Sequence, residues 1–306
     1  MVNLDCLELK KINFFYNKNN FVLKNLNIKF FGGKITALLG INGSGKTTLF
    51  KILTGIYKLK TGSIVYNNLV INDKNFVHFK SDLGFMPEFL SLYKNMLVKD
   101  VLKLLGSLKG YDNFDLNGVL NTVFLLKHSN KKIKALSKGM KQRLNLAQAI
   151  IGNPKILLFD EPSNGFDCGS IMMFYSVLRK LANNGAIILI SSHHLTEIYG
   201  NVDKVLILSN GSIIKEIDIE SFDYDECFLY KEISIVLGES LDHIVFKLLK
   251  KKFINIDIND KCNKLFGRVN NKIILDLIME IINLNLKIKD IRINDKILED
   301  ILINLS

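Results

Sequence analysis

The stretch KITALLGINGSGKTTLFKIL, residues 34–53, decides the fold of this chain. KITALL at its start is an apolar run of strand type, and TTLFKIL at its end suits a helix. Between them GINGSGKT, residues 40–47, matches the pattern G-x-x-x-x-G-K-[ST] without a break. A strand, a glycine-rich loop and a helix in that order build a cradle for phosphate. Gly40, Gly43 and Gly45 let the backbone wrap closely round an anion, its N–H groups pointing inward where a Cβ would crowd it. Asn42, Ser44 and Thr48 belong to the same cradle, and the helix start adds partial positive charge. Lys46 is expected to reach the β and γ phosphates of a nucleotide, and the Thr47 hydroxyl to ligate Mg2+. A dinucleotide loop is disfavoured, because the G-x-G of Gly43 and Gly45 is followed by Thr48 where a third glycine would belong.

A second stretch, ILLFDEPSNGFD at residues 156–167, places an Asp and a Glu directly after four apolar residues. Carboxylates at the end of a buried strand need a task. Asp160 is expected to hold Mg2+, directly or through a water, and Glu161 to polarise the water that attacks the γ phosphate. The alternative, a solvated acidic turn, fits poorly with an apolar run that ends so abruptly.

Outward from these motifs, residues 7–217 alternate short apolar runs with amphipathic stretches, the pattern of an α/β domain. Strands are predicted at 34–39, 155–160, 186–191 and 203–209, mostly as continuous apolar runs of the kind that parallel strands buried on both faces show. Asn210-Gly211 reads as a hairpin turn into a last strand at 212–217. From about 89 to 135 the strand pattern gives way to helical runs such as MLVKDVLKLLGSL. The acidic, polar stretch 218–229 marks a boundary near residue 225. Beyond it the order β-α-β-β-α-β predicts a small ferredoxin-like sandwich, with Ile273, Ile274, Leu277, Ile278, Ile281 and Ile282 as the core face of its second helix.

Composition bounds the rest. The 306 residues are 48% hydrophobic and 23% charged, a globular mixture, and no run is long and apolar enough to span a membrane as a helix. The start, MVNLDCLELK, has neither a basic head nor an apolar signal core, so the chain is expected to stay in the cytoplasm. Cys6, Cys168, Cys227 and Cys262 form no CxxC pair, which argues for free thiols rather than a disulfide framework or a zinc site. The net charge of +11 could favour polyanions, but the lysines are spread along the chain, without a basic block interleaved with aromatics. No nucleic-acid partner is expected.

The phosphate motifs alone specify only a P-loop NTPase. LSKGMKQR at 136–143, lying just before the Asp-Glu strand, resembles the signature sequence of ABC ATPases. The resemblance implies that Ser137 and Gly139, at the start of a helix over 138–152, face the γ phosphate bound by another subunit. It implies that Tyr16 stacks on adenine, the alternative being a core tyrosine. SSH at 191–193 resembles the switch that places His193 against the γ phosphate, with His194 incidental. Asp167 resembles the aspartate of the loop that crosses the dimer interface, the alternative being a turn aspartate. In LGFMPE, 83–88, Glu88 stands where the family usually has a glutamine that senses Mg2+ and the attacking water. A carboxylate can ligate the ion but cannot donate an amide hydrogen bond. Glu88 and the tail KILEDILINLS both resemble a branch of single-domain bacterial exporter ATPases.

The expected architecture is therefore the ABC type of P-loop fold over residues 1–224: a mostly parallel central sheet, an antiparallel β part and a helical subdomain at about 89–152. A ferredoxin-like α+β domain is expected over 225–306. The resemblance further implies ATP and Mg2+ as ligands and a homodimer, or a heterodimer with a related ATPase, closed by ATP. It also implies a separate membrane permease and a peripheral place on the cytoplasmic face. The competing expectation is a soluble ABC ATPase acting on ribosomes or DNA. Such proteins usually carry two cassettes or a long coiled coil, and the chain has one cassette and no coiled-coil insertion.

Overall fold

The computed structural model describes residues 5–17, 20–193, 195–198, 200–219, 230–253, 255–259, 261, 263–270 and 273–294. His194, the tail KILEDILINLS and most of the acidic stretch 218–229 lie outside the described residues. The chain divides into two compact units, Met1–Ser221 and Phe222–Ser306.

Along the first unit run β1 (Cys6–Asn17), β2 (Asn20–Phe31), β3 (Ile35–Leu39), α1 (Lys46–Leu53), β4 (Thr61–Tyr66), β5 (Leu69–Val70), α2 (Phe76–Ser81) and β6 (Leu83–Met86). There follow α3 (Val98–Leu108), α4 (Leu116–Thr122), α5 (Lys138–Ile150), β7 (Ile156–Asp160), α6 (Cys168–Asn183), β8 (Ile187–Ser192), α7 (Leu195–Ile198), β9 (Lys204–Ser209) and β10 (Ser212–Asp218). The central sheet has the order β10-β9-β3-β8-β7-β6. All its pairings are parallel except β9–β10, which are joined through Asn210 (φ 48°) and Gly211 (φ 81°), the positive-φ pair that a tight hairpin requires.

Every residue of β3, β7 and β8 is buried, as continuous apolar runs in a covered parallel sheet must be. Their register aligns their carboxyl ends: Leu39 lies opposite Ser192, Ser191 opposite Asp160, and Phe159 opposite Met86. The loops after β3, β6, β7 and β8 therefore leave from one edge, where open α/β sheets bind ligands.

The long strands β1 and β2 pair with β4 and β5 in a second, antiparallel sheet of order β2-β1-β4-β5. One core joins the two sheets through α1: Leu49, Phe50, Ile52 and Leu53 pack with Leu7, Leu9, Leu23 and Leu26 on one side and Leu38 and Leu158 on the other. The predicted helical stretch begins later than expected, at Val98. Residues 94–97 form a turn, with Met96 N–H on the Tyr93 carbonyl (3.1 Å), pinned by Lys134 N–H to the Lys94 carbonyl (2.9 Å), Ile133 N–H to the Met96 carbonyl (3.0 Å), and a bridge between Leu97 and Lys132.

The second unit contains β11 (Tyr230–Leu237), α8 (His243–Lys252), β12 (Ile256–Ile258), β13 (Lys264–Asn270), α9 (Ile274–Asn283) and β14 (Ile288–Asn294). Its antiparallel order β12-β13-β11-β14 is the ferredoxin-like arrangement that the element order predicted. The expected core stripe of α9 needs correction. Ile274, Leu277 and Ile281 are buried and Ile278 packs against them, but Ile273 and Ile282 are exposed. Ile273 precedes the helix as its N-cap, and Ile282, one residue past Ile281, is turned by about 100° from the core-facing side.

A chain ending at Ser221 is expected to melt cooperatively and to bind a fluorescent ATP analogue as tightly as the full chain does. Loss of either property would make the second unit part of the first unit's folding.

Candidate nucleotide site

The glycines of the loop serve different needs. A Cβ on Gly40 would stand 2.4 Å from the Leu208 carbonyl oxygen, and one on Gly45, at φ 113°, 2.6 Å from Leu23 Cδ2. Gly43, at φ 84°, has nothing within 4 Å and faces open space. Packing behind the loop thus requires two of them, and the left-handed backbone the third.

Lys46 opens α1 yet is only 6% exposed. Its Nζ donates to the carbonyls of Gly40 (2.7 Å) and Ile41 (3.3 Å) and stands 3.3 Å from Glu161 Oε1. The carboxylate oxygen is close enough to neutralise the ammonium but is not aligned as a hydrogen-bond acceptor, so Glu161 Oε1 remains a buried oxygen without a hydrogen bond. Ser44 Oγ, in the loop itself, is likewise buried without a partner. An orphaned hydroxyl and a cation beside open backbone are what an incoming phosphate would satisfy.

Beneath the loop, Asp160 Oδ1 accepts from Ser191 Oγ (2.6 Å) and Thr47 Oγ1 (3.2 Å). Burial pushes its carboxyl above the usual aspartate range, and these two hydrogen bonds oppose the shift without cancelling it. Ser191 Oγ also accepts from the Glu161 N–H at 2.9 Å, which fixes the turn after β7. Glu161 itself is held at φ 45°, a left-handed conformation unusual for a side chain of this length. His193 Nδ1 lies 2.8 Å from Glu161 Oε2.

These groups face a cavity of about 460 Å3 lined by Tyr16, the loop residues Asn42 to Thr48, Glu88, Glu161 and His193, with Val22 and Asn164 completing the wall. Tyr16 is 54% exposed, packs edge-on against Phe14 and Tyr57, and places its hydroxyl 3.3 Å from Thr48 Oγ1. It is not a core tyrosine. Glu88 Oε1 accepts from Asn164 Nδ2 at 3.1 Å.

Five predicted residues do not line this cavity: Gly40 and Asp160, which lie behind its wall, and Ser137, Gly139 and Asp167. Ser137 caps α5, its Oγ accepting from the Met140 N–H at 3.2 Å. Asp167 caps α6 by accepting from the Ser170 N–H at 2.7 Å. The Ser170 hydrogen bonds, with Arg143 nearby, hold its carboxyl below the usual range. Arg143 Nη2 donates to Ser170 Oγ at 2.9 Å and ties α5 to the start of α6.

Sequence reasoning passed over Asn164, Ser191 and Gln142, whose Nε2 donates to the Asn164 carbonyl at 2.9 Å. All three lie inside the quoted motifs, SNGFD, SSH and LSKGMKQR, so the signal was position rather than residue type.

Among the described residues no cluster of His, Cys, Asp and Glu could enclose a metal by itself. One carboxylate and one hydroxyl beneath a phosphate cradle suit instead an ion that keeps its waters and shares the substrate's phosphate oxygens. With backbone amides and one ammonium to receive phosphate, and a buried carboxylate beside them to accept a proton, the site is that of a P-loop nucleotide hydrolase.

Comparison with known proteins narrows the class. The family model described as "ABC transporter" matches residues 23–164. The lantibiotic transport ATP-binding protein SrtF of Streptococcus pyogenes is 33% identical over 210 residues, covering 69% of this chain and 90% of that protein. The uncharacterized ABC transporter ATP-binding protein YcbN of Bacillus subtilis (strain 168) is 33% identical over 248 residues, covering 77% and 79%. Among solved structures, a dimeric post-hydrolysis state of the cassette MJ0796 bound to ADP and Pi aligns with a TM-score of 0.63 at 22% identity, over 71% of this chain and 100% of that one. A bacterial Atm1-family ABC exporter with ATP bound aligns with a TM-score of 0.63 at 22% identity, over 72% of this chain and 40% of that one. The chain belongs to the ATP-binding proteins of ABC transporters and is an ATPase subunit that powers transport. The alternative of a ribosome- or DNA-directed ATPase is not favoured by these relatives.

The raised Asp160 pKa has a consequence for stability. The folded state holds this proton more tightly than the unfolded chain does, so the contribution of the neutral form is present at low pH. It is lost as pH rises from the ordinary aspartate range through the raised value. Relative to wild type, Asp160→Asn is therefore expected to flatten that decline and to melt higher at neutral pH without nucleotide or Mg2+. Its ATPase rate should nonetheless fall by about a hundredfold or more. Thermal melts across pH, with steady-state hydrolysis, check both.

Proposed function

We propose that two such subunits close face to face on two ATP molecules and open after hydrolysis, driving a separate membrane-embedded permease. One observation carries this reading: the cavity is walled on one side by the loop, while Ser137, Gly139 and Asp167 sit outside it. A second subunit related by a two-fold axis would bring its own Ser137 and Gly139 to the open side, and Asp167 to the seam. The second subunit is a copy of this chain or a related ATPase.

ATP enters with its adenine against Tyr16 and its phosphates in the loop from Asn42 to Thr48. The γ phosphate then competes with Glu161 for the Lys46 ammonium. Relieved of its cation, Glu161 accepts a proton from the attacking water, and His193, already beside it, can hold the same phosphate. Thr47 and Asp160 would hold Mg2+, with Glu88 facing it, and the ion supplies charge neutralisation of the phosphate oxygens when bound. ADP lacks the γ phosphate that both subunits share, so its formation removes the link between them.

The permease would dock on the face following Glu88, where Phe89 and Tyr93 are 79% and 71% exposed. Such docking would put the chain at the cytoplasmic face of a membrane; among its described residues no helix is long and apolar enough to cross one. Export is the direction supported by Glu88 and by the lantibiotic transport relative. The second unit is an accessory domain.

Lys46→Ala is expected to lose most MgATP affinity in a fluorescence titration, because the loop's one side-chain cation is gone. Glu161→Gln should bind ATP yet turn over about a hundredfold more slowly or worse, since an amide cannot take the proton. Light scattering on Glu161→Gln should find dimers with ATP and monomers with ADP. Adding Ser137→Arg should abolish the dimer while ATP still binds. A dimer indifferent to nucleotide and to Ser137 would overturn the mechanism.

A further inference from the structure

Glu88 adds a carboxylate to a cavity that already holds Glu161 and must receive a polyphosphate. Its oxygens need donors to hold the carboxylate in one place there. The structure supplies a donor from another element: Asn164 Nδ2 meets Glu88 Oε1 at 3.1 Å across 76 residues of sequence. An amide facing a carboxylate must present nitrogen, since its oxygen would oppose another acceptor. Asn164 then has a second N–H and its Oδ1 still unused by any described residue, in a side chain that lines the cavity.

The Asn164 backbone is held from two sides. Its N–H donates to the Glu161 carbonyl at 3.3 Å, and its carbonyl accepts from Gln142 Nε2 of α5 at 2.9 Å. One residue thus bridges the catalytic turn, the signature helix and the segment carrying Glu88.

We propose that Asn164 and Glu88 act as one amide–carboxylate unit, in which Asn164 restores the amide donor that Glu88 lacks and holds its carboxylate in place for hydrolysis. Asn164 is thereby a positioning residue of the ATPase reaction. The inference deepens the proposed reading of the same site and rests on Glu88 facing the phosphates. Its specific content is an exchange: what matters is one amide and one carboxylate across this gap, whichever residue carries which.

The test is a double-mutant cycle on the full chain, with steady-state ATPase rates and affinity for a fluorescent ATP analogue as separate readouts. Wild type and Glu161→Gln measured alongside report on the parent reading: if they hydrolyse at equal rates, that reading fails whatever the pair does. Asn164→Ala is expected to lower kcat on the order of tenfold beside Glu88, the scale of a hydrogen bond to a charged group, and to cost much less in a Glu88→Gln background. Asn164→Asp, which opposes two carboxylates, should weaken ATP binding, with affinity recovering as pH is lowered. The exchanged pair, Glu88→Gln with Asn164→Asp, should regain affinity and most of kcat. Equal losses from Asn164→Ala in both backgrounds, or no recovery in the exchanged pair, would overturn the proposal and leave Asn164 with a purely structural part. The affinity arm reads the pair even if every variant hydrolyses slowly.

Discussion

The site is organised around a buried ammonium. Lys46 has left water almost completely, and its charge is met by two carbonyls of its own loop and by the carboxylate of Glu161. A cation so placed is tolerable only while something negative stays within reach, and removing a partner from such a pair is far more damaging than the pair is stabilising. In this structure Glu161 fills that need. Under the proposed mechanism this pairing couples occupancy to chemistry, since phosphate would replace the carboxylate as the counter-charge.

The geometry that permits this is set by the sheet. Parallel pairing in the order β3-β8-β7-β6 puts the loop, His193, the Asp160–Glu161 turn and Glu88 on successive strand ends, and the register brings Ser191 of β8 level with Asp160 of β7. Ser191 then donates to Asp160 and accepts from the next residue's N–H. A slip of one residue would turn Ser191 to the opposite face, stranding the Glu161 N–H and leaving Asp160 with Thr47 alone.

Much of this was legible in the chain because the strongest constraints are local. A phosphate loop must be contiguous, so GINGSGKT declares itself, and strands buried on both faces must be continuously apolar, so β7 and β8 stand out. The β-α-β-β-α-β order of the second unit was readable from periodicity, although the core face of α9 was read too wide, because aliphatic side chains such as Ile282 flank the buried ones while staying exposed. The long strands β1 and β2 were foreseen only through family resemblance: their polar, asparagine-rich positions alternate irregularly around several bulges. The role of Asn164 was invisible for another reason. Its meaning depends on Glu88, and nothing in either local sequence announces a contact made only when β6 and β7 lie side by side.

The backbone at Glu161 sets a tension between folding and work. At φ 45° this position is one that glycine or asparagine would occupy with less strain, whereas the nearly buried Lys46 ammonium needs a negative partner there. Stability alone therefore pulls position 161 both ways: relief of backbone strain favours glycine or asparagine, and the buried ammonium favours the carboxylate that the proposed hydrolysis also uses. A single residue in the left-handed region thus keeps its backbone strain because its side chain balances a buried charge.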